Sequence, residues 1–82
     1  MTQEEIKGAI DFATSNREML EKSSKAGCYY CMKIYDASEV TDFLEQEETA
    51  LCPKCGIDSV LPSSSPYELT AENLSKLYRF WF

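Results

Sequence analysis

The sequence predicts one small α+β domain, residues 1–82, with helices at both ends and a short strand-bearing centre held by its cysteines. Three observations predict it. Apolar residues recur at helical spacing near each end of the chain. Between them, short runs of β-formers are broken by turn residues. The four cysteines fall into two Cys-x-x-Cys pairs. A chain of 82 residues is shorter than the roughly 100–150 residues of a typical domain. A core of that size contributes only about 3–5 kcal/mol, so small natural domains add a staple. With 44% apolar and 27% charged residues the composition is globular, not disordered.

The elements follow in order. Thr2 with Glu5 forms a capping-box pattern, and Met1 can staple onto Ile6. Ile6, Ala9, Ile10, Ala13 and Leu20 then recur at helical spacing, which predicts a helix from Gln3 to Lys22, ended by Ser23, Ser24 and Gly27. Cys28–Tyr35 reads as a knuckle leading into a short strand. Asp36 with Glu39 repeats the capping-box pattern, and Val40, Phe43 and Leu44 form one stripe, so a short acidic helix is expected over Ala37–Glu45. Thr49–Leu51 is a candidate strand into the second knuckle, and Ile57, Val60 and Leu61 suggest a strand leaving it. Pro62–Pro66, with its serine triplet, is a loop. Thr70 caps a last helix, whose apolar face is Leu74, Leu77, Tyr78 and Trp81, with Leu69 and Leu74 in the staple positions.

The cysteines carry the chemistry. Cys28-x2-Cys31 and Cys52-x2-Cys55, twenty residues apart, have the spacing of a structural zinc site. Two residues between thiols let one tight turn present both sulfurs to one ion at about 2.3 Å, and two such turns complete a tetrahedron. Gly56 tolerates the positive φ that such a turn needs, and Pro53 presets its φ. The expected cofactor is one structural Zn²⁺ per chain on Cys28, Cys31, Cys52 and Cys55. The fold class is therefore a small α+β zinc-binding domain. It is expected to hold a zinc-ribbon or rubredoxin-like knuckle pair with a short β-hairpin, flanked by N- and C-terminal helices, with the acidic helix between the knuckles. Buried or disulfide-paired cysteines, and a rubredoxin-like iron or redox site, are the alternatives.

Composition excludes more than it assigns. The chain has no histidine, which removes the commonest general base and every Cys/His or Ser/His pair, so no catalysis is expected. Asp58 and Ser59 lack a base and read as a turn and strand edge with a side-chain hydrogen bond. Eight basic against 14 acidic residues give −6, and four thiolates on zinc would carry this to about −8. Such a charge disfavours nucleic acid, although Lys22, Lys25 and Lys33 flank the first knuckle. MTQEEIKGAIDF has neither the basic nor the apolar region of a secretory signal. The longest apolar run, Cys28–Met32, is far short of the ~20 residues of a membrane span. The expected location is cytoplasmic, where thiols stay reduced.

The residues also resemble a known family. Gly27-Cys28-Tyr29-Tyr30-Cys31, then Thr49-Ala50-Leu51-Cys52-Pro53-Lys54-Cys55-Gly56-Ile57-Asp58-Ser59-Val60, and the closing Tyr78-Arg79-Phe80-Trp81-Phe82 are similar to small four-cysteine bacterial proteins known as cytoplasmic or hypothetical proteins. Their pattern runs roughly HRxxLxxSxxCGCFYC, an acidic EIxxW helix, TALCPYCGIDSV and a helix ending near YWF. The resemblance spans nearly the whole chain. It implies the same four ligands and an intracellular bacterial or phage setting, and it brings no activity. Two positions depart from it: the family's usual histidine is Asn16 here, and its usual tryptophan is Phe43.

The leading functional expectation is a zinc-stabilised protein-interaction module, an adaptor or modulator of another protein. The rings should mostly wrap the cysteines. However, Phe80, Trp81 and Phe82 are consecutive, and neighbours on a helix point roughly 100° apart, so one face cannot bury all three. They are the expected contact for a protein partner or for a second copy of the chain. The acidic residues Glu39, Asp42 and Glu45 would favour a basic partner. A redox or electron-transfer protein and a nucleic-acid-binding zinc ribbon are the competing expectations.

Overall fold

In a computed structural model that describes residues Met1–Phe82, two short helical stretches lead into a three-stranded antiparallel sheet. A small hairpin and a C-terminal helix complete the chain. The elements are α1 (Gln3–Gly8), a 3-10 turn at Ala9–Phe12, α2 (Arg17–Glu21), β1 (Lys25–Cys28), β2 (Ile34–Asp36), a 3-10 turn at Ala37–Glu39, β3 (Phe43–Leu44), β4 (Thr49–Ala50), β5 (Val60–Pro62) and α3 (Ala71–Trp81). No helix is long and apolar enough to cross a membrane.

The sheet has the order β2-β1-β5, and β3 pairs with β4 in a separate ladder. Side chains alternate across β1. Ala26 and Cys28, with their neighbours Tyr35 and Val60, face one core, which also holds Leu20, Val40, Ala50 and Cys52. Gly27, paired with Ile34 and Leu61, faces the other way. There Leu61 joins Ala9, Ala13, Tyr29, Leu74 and Leu77, flanked by Met1, Ile6 and Leu69. Gly27 is where the C-terminal segment lies on the sheet: a Cβ there would sit 3.3 Å from Leu69 Cδ2 and 3.4 Å from Leu74 Cδ1. The sheet thus separates a cysteine-bearing layer from a helical layer. Only 21 of 82 residues are buried, and the largest wholly buried side chains are three leucines, so neither layer is thick.

The two ends meet as expected. The Thr2–Glu5 capping box forms in both directions, at 2.8 and 3.2 Å. Thr70 Oγ1 accepts from Asn73 N at 3.1 Å and starts α3. Trp81 Nε1 donates to Ile6 O at 3.3 Å, tying α3 to α1. The burial differs from the expected faces. Leu20 belongs to the cysteine-side core, while Ile10, Tyr78 and Trp81 are exposed.

The helix expected over Gln3–Lys22 does not run through. It tightens to a 3-10 turn at Ala9 and breaks at Thr14-Ser15-Asn16, residues whose side chains compete for backbone groups. Thr14 Oγ1 donates back to Ile10 O at 2.8 Å. Ser15 adopts φ 48°, and its N–H donates to Thr49 Oγ1 at 2.8 Å. Asn16 turns inward to 3% exposure. Its Nδ2 donates to Phe12 O at 3.0 Å and Val60 O at 2.8 Å, and its Oδ1 accepts from Ala50 N at 3.0 Å. One side chain thereby links the N-terminal segment, β4 and β5.

The acidic helix expected over Ala37–Glu45 is also corrected. The Asp36–Glu39 capping box forms, but only one 3-10 turn follows it before Val40 turns extended at φ −81°, ψ 109°. The chain then makes the β3–β4 hairpin, with Phe43 opposite Ala50 and Leu44 opposite Thr49. β-branched and aromatic side chains in this stretch favour extended backbone. The Arg17 guanidinium lies 4.7 Å from the Phe43 ring centroid and bonds Glu48 at 3.0 Å, which pins the hairpin to α2. Strands were expected at Thr49–Leu51, after the first knuckle and after the second, and are found as β4, β2 and β5; β1 was not foreseen. Pro62 ends β5 opposite Ala26 instead of opening the loop, which a terminal residue of an edge strand allows.

Asn16→Ala leaves buried backbone groups of β4 and β5 without this partner. A loss of about 2–4 kcal/mol is expected, read from denaturant melts of the two proteins. A loss within about 0.5 kcal/mol contradicts the linking role.

Candidate metal centre

The two Cys-x-x-Cys segments fold alike, residue for residue. Cys28 N donates to Lys33 O at 3.0 Å, and Cys52 N to Ile57 O at 2.9 Å. Met32 N donates to Cys28 O at 2.9 Å, and Gly56 N to Cys52 O at 2.8 Å. Each turn thus closes on the residue after its second cysteine, which must be left-handed: Met32 has φ 69° and Gly56 φ 80°. Glycine meets this requirement in the second knuckle without strain, whereas the first imposes it on a methionine. Met32 offsets the strain by packing against the helical core.

The turns aim backbone donors at the leading sulfurs. Tyr30 N and Cys31 N lie 3.3 and 3.5 Å from Cys28 Sγ, and Lys54 N lies 3.4 Å from Cys52 Sγ. Hydroxyls complete the environment. Ser59 Oγ is 3.1 Å from Cys28 Sγ, and Tyr35 Oη donates to Cys52 Sγ at 3.2 Å. Cys28 and Cys52 are buried, and Cys31 and Cys55 are half-buried.

All four sulfurs lie within 4.8 Å of one another. Cys28 Sγ is 3.6 Å from Cys55 Sγ, and Cys31 Sγ is 3.7 Å from Cys52 Sγ. These are not the ~2.05 Å separations of disulfides, and all four cysteines are free. With metal–sulfur bonds of about 2.3 Å, a sulfur tetrahedron has edges of about 3.8 Å. The donor set therefore fits a single four-coordinate ion.

The four thiols are electrostatically unequal. Burial, reinforced by the neighbouring sulfurs, pushes the Cys55 thiol up to about 12 and raises Cys31 as well. At Cys52 burial acts the same way. There it is outweighed by hydrogen bonds from Tyr35 and from the backbone at Lys54 and Cys55, which bring the thiol down to about 7. A divalent ion is the charge that would relieve the burial penalty on the other sulfurs.

The four expected ligands come together. Of the expected contact residues, Phe80, Trp81 and Phe82 are 39%, 36% and 56% exposed, and they divide. Phe82 lies against Tyr30 of the first knuckle and Tyr78, with centroids at 4.9 and 5.7 Å, while Phe80 and Trp81 pack edge to face at 4.9 Å. Tyr29 and Tyr35 are buried. Glu39 is engaged with Lys54 at 3.0 Å, and Asp42 and Glu45 lie on either side of β3 and not on a helix face. The basic spot near the first knuckle is largely neutralised, because Lys22 pairs with Glu18 and Lys25 with Asp36. Sequence reasoning gave Ser59 a local hydrogen bond without its partner, and gave Tyr35 only a place in the core. The available signal was that each stands seven residues after the leading cysteine of its own knuckle.

Gly56→Ala tests the knuckle geometry. A Cβ there has no neighbour within 4 Å, so its cost is confined to backbone strain, about 1–2 kcal/mol, measured by denaturant unfolding. A neutral substitution would show that the turn does not need the left-handed residue. Comparison of the chain with protein-family models, curated proteins and solved structures returned no match.

Proposed function

We propose that the chain is a structural-zinc module for protein interaction, cytoplasmic and without catalysis of its own. One Zn²⁺ is held by Cys28, Cys31, Cys52 and Cys55. The observation that carries this reading is the sulfur cluster, with edges of 3.6 and 3.7 Å. A site closed by four thiolates leaves no position for substrate, so the ion contributes folding free energy. In small fingers that contribution reaches about 10–16 kcal/mol, well above what a small core supplies. The likeness of its cysteine segments to the four-cysteine bacterial cytoplasmic proteins supports placing the chain in that family.

The interaction surface is the aromatic C-terminus, Phe80–Phe82. Of the acidic residues, Glu39 is taken up by Lys54, and the exposed Asp42 and Glu45 beside β3 add negative charge that favours a basic partner. Exposed rings are favoured in interface cores, and the net charge of −6 steers association and disfavours phosphate backbones. A homodimer through the same rings is the alternative occupant. A rubredoxin-like electron-transfer protein is the second reading, favoured by the matched knuckles with their N–H groups directed at sulfur.

Elemental analysis is expected to give one zinc per chain in a colourless protein. A coloured iron protein would replace the first reading with the second, and the absence of any stoichiometric metal would contradict both. Cys52→Ser is expected to leave the chain unfolded by circular dichroism, and a cooperative, near-wild-type melt would refute the structural role of the ion. Trp81→Ala and Phe82→Ala are expected to reduce self-association in a light-scattering concentration series, or capture of a basic partner. Altered stability with both properties untouched contradicts the interface.

A further inference from the structure

The hydroxyls on the two leading sulfurs are exchanged between the halves of the site. Tyr35 follows the first knuckle, yet its Oη donates to Cys52 of the second at 3.2 Å. Ser59 follows the second, yet its Oγ lies 3.1 Å from Cys28 of the first. Both stand at the same offset, the seventh residue after the leading cysteine of their own half. Both are buried, at 5% and 1% exposure, and both are fixed by the sheet: Tyr35 pairs with Ala26 in β2, and Ser59 precedes Val60, the partner of Cys28. Ser59 O also accepts from Tyr29 N at 3.1 Å, inside the opposite knuckle.

We infer that Tyr35 and Ser59 are reciprocal positioning residues, each holding the other knuckle's leading thiolate in place for the metal. This rests on the zinc reading above. A hydroxyl donated to a bound thiolate orients the sulfur and spreads its charge. Because each donor belongs to the opposite half, neither sulfur pair is fully oriented until both halves have closed, which couples the two knuckles into one binding event. The exchange also divides the ligands. Cys28 and Cys52 are buried and each has a hydroxyl partner, whereas Cys31 and Cys55 are half-buried and have none.

The test compares wild type, Tyr35→Phe, Ser59→Ala and the double variant. Leu61→Ala serves as a buried control in the helical-side core, separate from the core that holds Cys28 and Cys52. Zinc affinity is measured in competition with a chromophoric chelator, and Co²⁺-loaded protein is read through its thiolate charge-transfer band. Each hydroxyl deletion is expected to weaken zinc by about 10–100-fold and to shift the cobalt band, and the double variant is expected to be weaker than either single one. Leu61→Ala is expected to lower stability and leave the band in place. The two deletions remove different groups, so either one reads out alone if the other variant fails to fold. Deletions that bind zinc within twofold of wild type with an unmoved band overturn the inference. So does a band shift of equal size in Leu61→Ala. Wild type that takes up no stoichiometric zinc or cobalt removes the metal reading itself, an outcome distinct from loaded wild type with indifferent variants.

Discussion

Four thiols held within 4.8 Å of one another, two buried and two half-buried, cannot all readily ionise unless a cation lies between them. That constraint organises the molecule. The sulfurs come from two turns separated by twenty residues, so whatever joins them joins the two halves of the chain. Cys28 ends the central strand, and the second knuckle is the bridge between β4 and β5. Holding the sulfurs together therefore fixes β5 against β1, and with it the wall on which both cores are built.

What the cores lack makes this dependence plain. On the cysteine side the buried side chains are mostly small, with alanines at 26, 37 and 50 and valines at 40 and 60. On the other side three leucines and a tyrosine meet two alanines of the N-terminal segment. Apolar burial yields roughly 25 cal/mol per Å², and side chains of this size bury little. Asn16, Tyr35 and Ser59 add polar links across the same region, each joining segments distant in sequence. Such links only hold their geometry when the backbones they connect are already close; under the proposed zinc reading, they refine a structure that the sulfur cluster assembles.

The parts of the fold legible in the sequence were those written in local chemistry. The capping boxes at Thr2 and Asp36, the cap at Thr70 and the cluster of four cysteines stand where the residue patterns put them. Elements set by distant partners were not legible. The apolar spacing from Ile6 to Leu20 reads as one helix, yet Ser15 and Asn16 leave it to bond Thr49, Ala50 and Val60, and no local rule reports those partners. The acidic stretch carries β-formers and pairs as a hairpin, and Arg17 of α2 meets it at Phe43 and Glu48. In the first knuckle, Met32 takes the left-handed conformation that a search for glycine would miss.

The central claim is that the fold is assembled by the sulfur cluster and not by either core. Amide hydrogen exchange on the zinc-loaded and chelator-treated chain tests it most directly. The account predicts that chelation removes protection together from β1, from β5 and from α3 around Leu74 and Leu77, although these leucines belong to the core on the other side of the sheet from Cys28 and Cys52. Protection that persists in α3 and the N-terminal segment after the metal is removed would contradict it.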